Sequence, residues 1–245
     1  VGGENYGDAL SDAKFTATIL RSVGLTLLTT ALAMIVGVAV ALLLDQAVRG
    51  RNLIRTLILL PLLTPPITIG VMWQLILMPQ GGWLNGVLAD LALITEPMSF
   101  LGQPASAFLF IAIADVWQWS PFVAIMAFAA LQTLPGEVFE AASIDGGSKV
   151  EIFRYVTLPM LLPGLLGVTV LKLVIGFKVF DLVFVMTAGG PGQATTISSF
   201  YIYRVAIQQF NIGMAATQTI LFAVVVGLAT LPFTWAHDRA EAKLS

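Results

Sequence analysis

Three ionisable side chains, Lys172, Lys178 and Asp181, lie in an apolar run from Leu161 to Met186 that is long enough to cross a bilayer. A charge held there is costly and faces a cavity, a partner side chain or a translocation path. Lys178 and Asp181 are three apart, so they share a helix face and could pair. Lys172 lies about 9 Å deeper by the helical rise, where snorkelling explains a lysine less well. Asp115, Trp117, Gln118 and Trp119 add a carboxylate, an amide and two indoles in another apolar run, and Trp73 with Gln74 forms a similar pair in a third. Such a mix suits a sugar, which has hydroxyls to bond and apolar faces to stack. Two plainer readings stand beside this one: lysines that snorkel or pair internally, and tryptophans that pack helices or sit in an interfacial belt. No nucleophile–base pair, His-rich set or cysteine accompanies these residues, so the sequence supplies no catalytic or metal-ligating candidate.

The elements that must position them are membrane helices. Hydrophobic residues make up 58% of the chain and charged ones 11%, with a mean hydropathy of +0.91. Soluble domains carry roughly 25% charged residues, so the composition defines an all-α, polytopic membrane protein. A net charge of −2 and the lack of a basic tract give no sign of a nucleic-acid partner. Five spans are legible, near Val23–Leu44, Ile54–Met78, Ala105–Leu131, Leu161–Met186 and Ile212–Trp235, in one bundle over residues 1–245. The second contains Pro61, Pro65, Pro66 and Gly70, which predicts a kinked helix packed inside the bundle. Residues 1–22 read as an aqueous segment with a short helix along the membrane, and Leu84 to Leu93 as a short surface helix beside an interfacial Trp83. His237 falls in a polar tail and reads as solvated.

Between the third and fourth spans lies a polar stretch, Leu134 to Pro163, with Glu137, Glu140, Asp145, Lys149, Glu151 and Arg154. Flanked by apolar runs on both sides, it must reach water. Pro135 suits a helix start, and Glu137 and Glu140 suit the positive end of the helix dipole. Gly146 and Gly147 can stop that helix, Ser148 with Glu151 spells a capping box for a second one, and Pro159 ends or kinks it. The result is an elbow of two short helices, in which Ala141 and Ala142 offer a small-residue surface for close packing. Arg49, Arg51, Arg55, Lys149, Arg154, Arg239 and Lys243 fall on the elbow's side, against Lys14, Arg21 and Arg204 on the other. The positive-inside rule therefore predicts a cytoplasmic elbow and C-terminus, and with five spans an external Val1.

Glu140-Ala141-Ala142, three residues, Gly146, nine residues, then Val156-Thr157-Leu158-Pro159 resembles the EAA motif of permease subunits in binding-protein-dependent ABC importers. Val156 departs from the usual isoleucine. RNLIRTLILLPLLTPPITIGVMW, ADVWQWSPFVAIMAFAALQTLP and FDLVFVMTAGGPGQATTISSFYIYR extend the likeness over nearly the whole chain, towards the MalF-like, sugar-type side of the family. The resemblance implies a type I importer permease fold with one further helix before Val1, in the cytoplasmic (inner) membrane of a bacterium or archaeon. It implies that Glu140, Ala141, Ala142, Asp145, Gly146, Leu158 and Pro159 couple this chain to a motor. The implied partners are a second homologous permease, two cytoplasmic ATPase subunits that bind ATP and Mg, and an extracytoplasmic solute-binding protein. This chain itself would bind no cofactor, and the cargo would be a saccharide, a polyol or a phosphorylated polyol. Trp73, Gln74, Asp115, Trp117, Gln118, Lys172, Lys178 and Asp181 remain the substrate-pathway candidates. The competing reading is a self-sufficient, ion-coupled carrier or channel that uses the same intramembrane charges as a relay. No inverted repeat supports it. Gly189 to Gly192, GGPG, lacks the spacing and terminal Lys-Ser/Thr of a nucleotide loop and reads as a turn shaping the outer mouth.

Overall fold

A computed structural model of the chain describes residues 3–46 and 51–242, so Val1, Arg49 and Lys243 lie outside the described residues. A short helix α1 (Glu4–Ser11) stops at Asp12, whose carboxylate accepts from the Lys14 N–H at 2.8 Å and so caps the helix that follows. That helix, α2 (Ala13–Gln46), starts well before Val23. Residues 13–22 are therefore helical and partly buried, not an aqueous strip. Phe15, Thr18, Ser22, Leu25, Thr26 and Thr29 are all buried, and their three- and four-residue spacing draws one packed stripe. Threonine and serine lower the local hydropathy, which is why this stretch reads as polar.

The second span is two helices. α3 (Arg51–Leu63) and α4 (Pro66–Ile76) meet at 98° across the Thr64-Pro65-Pro66 junction. A residue before proline is driven out of the helical region, and Pro65 accordingly has ψ of 136°. The kink is as expected, but the packing is not: Leu53, Leu57, Leu60 and Leu63 are exposed, so α3 lies on the bundle's flank. α5 (Trp83–Asp90) is the short helix read from the sequence, with Trp83 exposed. Asn85 fixes it by bonding the Met78 and Met98 carbonyls and the Met98 N–H.

α6 (Pro104–Gln132) is the central rod, and α2 lies against it. Contact is closest at Gly37, where a Cβ would stand 2.5 Å from that of Val123. Gly176 meets Thr26 in a similar way, the small-residue packing by which membrane helices approach each other. α7 (Gly136–Ile144) and α8 (Lys149–Ile152) form the elbow, and α9 (Leu158–Phe177) returns through the bundle. After a break at 178–180 come α10 (Asp181–Met186), the glycine-rich loop, α11 (Ser198–Tyr203) and the long α12 (Ile212–Glu241). The fourth span thus divides, and its helix ends short of Met186. Among the described residues four helices are long and apolar enough to cross a membrane, or five if the bent α3–α4 pair counts as one span.

Among the described residues three apolar clusters hold the bundle, the smallest joining Ala33, Val123 and Val168 midway. Ala41, Leu44, Ala127, Phe128, Leu161 and Leu165 join α2, α6 and α9 near the elbow. Leu25, Ile69, Ile111, Leu182, Val183 and Phe200 join α2, α4, α6, α10 and α11 towards the other end.

Candidate functional site

In the elbow, α7 ends in a Schellman turn. Gly146 adopts φ of +84°, its N–H donates to the Ser143 carbonyl at 3.2 Å, and the Gly147 N–H reaches back to the Ala142 carbonyl at 3.1 Å. Gly147 is needed as well, since a Cβ there would lie 2.9 Å from the Ala142 oxygen. The capping box forms as read: Glu151 accepts from the Ser148 N–H at 2.9 Å and hydroxyl at 2.6 Å, and its own N–H points to the Ser148 oxygen at 3.4 Å. Those bonds from Ser148 hold the Glu151 carboxyl below its ordinary pKa of 4.5.

Pro159 does not end or kink the second arm. Lacking an N–H, it leaves the Tyr155 carbonyl without its helical donor. The chain absorbs this in one π-helical turn, Phe153–Thr157, in which the Leu158 N–H bonds the Phe153 carbonyl. The helical run from Lys149 to Phe177 is therefore unbroken, and the outer arm of the elbow is welded to the span behind it. Neither α7 nor α8 buries a residue. Ile144, Val150 and Tyr155 are 85%, 74% and 70% exposed, large apolar side chains left open to solvent along the elbow. Of the coupling candidates, Glu140, Ala141, Asp145 and Gly146 are exposed on this knob and Ala142 is half-buried. Leu158 instead packs against the elbow-side core, and Pro159 is exposed at the start of α9. Leu158 anchors the arm without presenting a surface.

Inside the bundle, Lys172 and Asp115 meet. The ammonium lies 2.8 Å from Asp115 Oδ2, with the side chains 0% and 1% exposed. The sequence placed both residues in spans but did not pair them. The signal was depth: by the helical rise they stand about 21 and 26 Å from the elbow-side ends of α9 and α6. Asp115 Oδ1 is buried and has no hydrogen-bond partner among the described residues. Asp115, Gln118, Trp119, Lys178 and Asp181 line one cavity of about 180 Å³ together with Pro66. The Trp119 ring centroid is 6.0 Å from the Lys172 ammonium, at the outer range for a cation–π contact.

Not every pathway candidate joins this cavity. Trp73 and Trp117 pack edge to face, with centroids 6.3 Å apart, and Trp117 lines a separate shallow groove with Val40 and Leu57. Gln74 is exposed. Nor do Lys178 and Asp181 share a helix face: Lys178 caps the end of α9, Asp181 opens α10, and among the described residues no ion pair joins them. His237 is not a solvated tail residue. α12 runs on to Glu241, and the His237 Nδ1 lies 2.9 Å from the Pro163 carbonyl of α9.

At the far end the glycine-rich loop is held by hydroxyls. Thr196 donates to the Gly189 carbonyl, Thr195 to that of Gly190, and Ser22 accepts from the Ser198 N–H at 2.8 Å. Tyr201 donates to Asp12 at 2.7 Å, and burial followed by that bond raises its phenol to about 12. Nothing in the spacing of residues 12–22 hints that they tie down this loop. Nor does the sequence announce the aromatic cluster of Phe180, Phe184, Phe200 and Tyr203 beside it, whose members sit in separate segments.

Several membrane-length helices, a buried ion pair beside a mostly apolar cavity, and an exposed elbow together describe an integral membrane protein. The chain belongs to the family of binding-protein-dependent transport system inner membrane components, whose family model matches residues 31–245. It is 37% identical to the trehalose/maltose transport system permease protein MalF of Thermococcus litoralis over 87% of this chain and 70% of that protein. It is 31% identical to the sulfoquinovosyl glycerol transport system permease protein SmoG of Agrobacterium fabrum, over 91% of this chain and 72% of that one. The sn-glycerol-3-phosphate transport system permease protein UgpA of Rhizobium meliloti is 29% identical over 98% and 82%. The fold matches a crystal structure of a bacterial ABC transporter that imports the polysaccharide alginate, with a TM-score of 0.87, 22% identity, and coverage of 98% of this chain and 84% of that one. The chain is thus a pore-forming permease subunit of the type I ABC importer fold.

Proposed function

We propose that this chain is one half of a heterodimeric pore importing a saccharide or related polyol, and that residues 134–163 are where a cytoplasmic ATPase pushes. The observation that carries this is the elbow: it is exposed on every element, and its second arm continues without a break into α9. A force passed to the second arm at Lys149 reaches Lys172 along one continuous helical run. ATP and Mg are bound by two partner ATPase subunits and not by this chain, a second homologous permease completes the pore, and a solute-binding protein delivers cargo from the opposite side. Elbow and C-terminus then face the cytoplasm. The trehalose/maltose, sulfoquinovosyl glycerol and sn-glycerol-3-phosphate relatives support a glycoside or polyol cargo.

ATP-driven uptake into vesicles carrying the complete assembly tests the reading. Gly146→Asp, which forces a side chain onto a backbone with φ of +84°, and Glu140→Lys should each abolish uptake while ATP hydrolysis persists. Unchanged uptake in both variants removes the coupling role. Transport by this chain alone, driven by a pH gradient without ATP, would assign an ion-coupled carrier instead.

A further inference from the structure

Behind the elbow lies a cleft of about 800 Å³. One wall is the edge of the bundle, with Leu42 and Asp45 near the end of α2 and Leu131 near the end of α6. The other wall is the elbow, with Phe139 from α7, Lys149 from α8 and Phe153 from the π-helical turn. The exposed coupling candidates Glu140, Ala141, Asp145 and Gly146 do not line it, so the cleft belongs to the elbow's bundle side and not to the knob. Because α2 and α6 are membrane-length helices, a cleft at their ends sits where hydrocarbon gives way to headgroups.

Its lining is apolar except for Asp45, Lys149 and two hydroxyls. Among the described residues Asp45 and Lys149 are its ionisable groups, one of each sign, and both are exposed. No carboxylate among the described residues pairs with Lys149. The Gln132 amide donates to Asp45 Oδ1 at 2.7 Å, which orients a carboxylate that can still take further donors. The occupant these walls match carries an anion, a hydrogen-bonding cation and an apolar body, and it comes from the membrane. A phospholipid with a primary ammonium headgroup has all three. Phosphatidylglycerol would bring a phosphate for Lys149 but no cation for Asp45, and phosphatidylcholine a cation with no N–H to donate. The volume is within the range of about 300–1,000 Å³ found for small-molecule sites.

We propose that this cleft holds a phosphatidylethanolamine-type lipid of the elbow-side leaflet. Its phosphate sits on Lys149, its ammonium on Asp45, and its glycerol and upper chains lie against Leu42, Leu131 and Phe153. α7 packs on α8 and the π-helical turn and has no comparable contact with α2 or α6, so the lipid braces the elbow against the bundle. That consequence for coupling rests on the elbow's role proposed above.

The test reconstitutes the complete assembly in vesicles of equal parts phosphatidylethanolamine, phosphatidylcholine and phosphatidylglycerol, re-extracts it in mild detergent and identifies the retained lipid by native mass spectrometry. Phosphatidylethanolamine should be enriched over each of the others by about tenfold or more, as one charge-assisted hydrogen bond allows. Lys149→Glu should abolish the enrichment and Lys149→Arg should keep it. Asp45→Asn, which retains an acceptor for Gln132, should let phosphatidylglycerol compete equally, a switch of preference that loss of structure alone would not give. A photoreactive phosphatidylethanolamine should label residues 131–153. Equal retention of the three lipids, enrichment of phosphatidylglycerol by the unmodified protein, or enrichment indifferent to Lys149→Glu overturns the proposal. So does a cleft left unlabelled because a partner subunit fills it. Lipid retention is read without transport, so the two readings fail separately. ATP-driven uptake with no lipid preference removes the site alone, whereas enrichment in an assembly that shows no ATP-driven uptake leaves the site and removes the transport reading.

Discussion

Lys172→Met alone should damage the protein far more than Lys172→Met combined with Asp115→Asn. The two groups are 2.8 Å apart and at most 1% exposed, so water cannot take over from a missing partner. Removing one side of such a pair costs about 3–5 kcal/mol, because the other charge stays buried and uncompensated, whereas neutralising both is close to neutral. For a chain of this size, unfolding midpoints move about 2–4 °C per kcal/mol. The single variant should therefore melt about 6–20 °C lower than the parent and the double variant within a few degrees of it. Asp115→Asn alone should resemble the lysine variant, since it strands an ammonium. Melting in detergent of all four proteins closes a double-mutant cycle, whose coupling energy should be about 3 kcal/mol or more. Additive losses, or singles no worse than the double, would refute the claim that the pair is desolvated and mutually dependent.

Other perturbations follow from the same geometry. Gly37→Ala places a methyl 2.5 Å from Val123 Cβ and 3.0 Å from the Ala124 backbone nitrogen, and such overpacking costs about 1–3 kcal/mol. Midpoints should show the loss, and Val123→Ala should recover part of it. Glu151 has a lowered pKa in the folded protein, so its contribution is complete above pH 4.5 and is lost as the pH falls through its lower folded value. Amide exchange over residues 149–152 should accelerate across that window, and Glu151→Gln should flatten the dependence. Tyr201, raised to about 12, contributes stability that is complete below pH 10 and lost as the pH rises through 12. An absorbance titration should show a late phenol ionisation near pH 12, and Tyr201→Phe should delete that late step.

What the sequence made legible follows from what local chemistry encodes. The elbow was readable nearly residue by residue because glycine at positive φ and a Ser-x-x-Glu cap are statements about consecutive residues. Spans were readable because apolar length is one-dimensional. The start of α2 was not, because Thr18, Ser22, Thr26 and Thr29 form its packing face while looking polar in a window average. The division of the fourth span after Phe177 was equally hidden, since Lys178, Val179 and Phe180 carry neither proline nor glycine. That break also undid the expected Lys178–Asp181 pairing, which assumed an unbroken helix. The Lys172–Asp115 pair needed a comparison of depths across two helices. Pro159 shows the opposite error: the proline rule anticipates a kink or an end, but a single π-helical turn accommodates the ring and the helical run continues to Phe177.

The most direct test of the account is where the elbow goes. The chain has no cysteine, so Ala141→Cys introduces a unique thiol on the exposed face of α7. In membranes from cells that also express the ATPase subunits of the system, a short thiol cross-linker should join this position to an ATPase subunit. The yield should change with bound nucleotide, and a membrane-impermeant maleimide added to intact cells should not reach the thiol. Labelling from outside, or an elbow that meets no ATPase subunit in any nucleotide state, would contradict it.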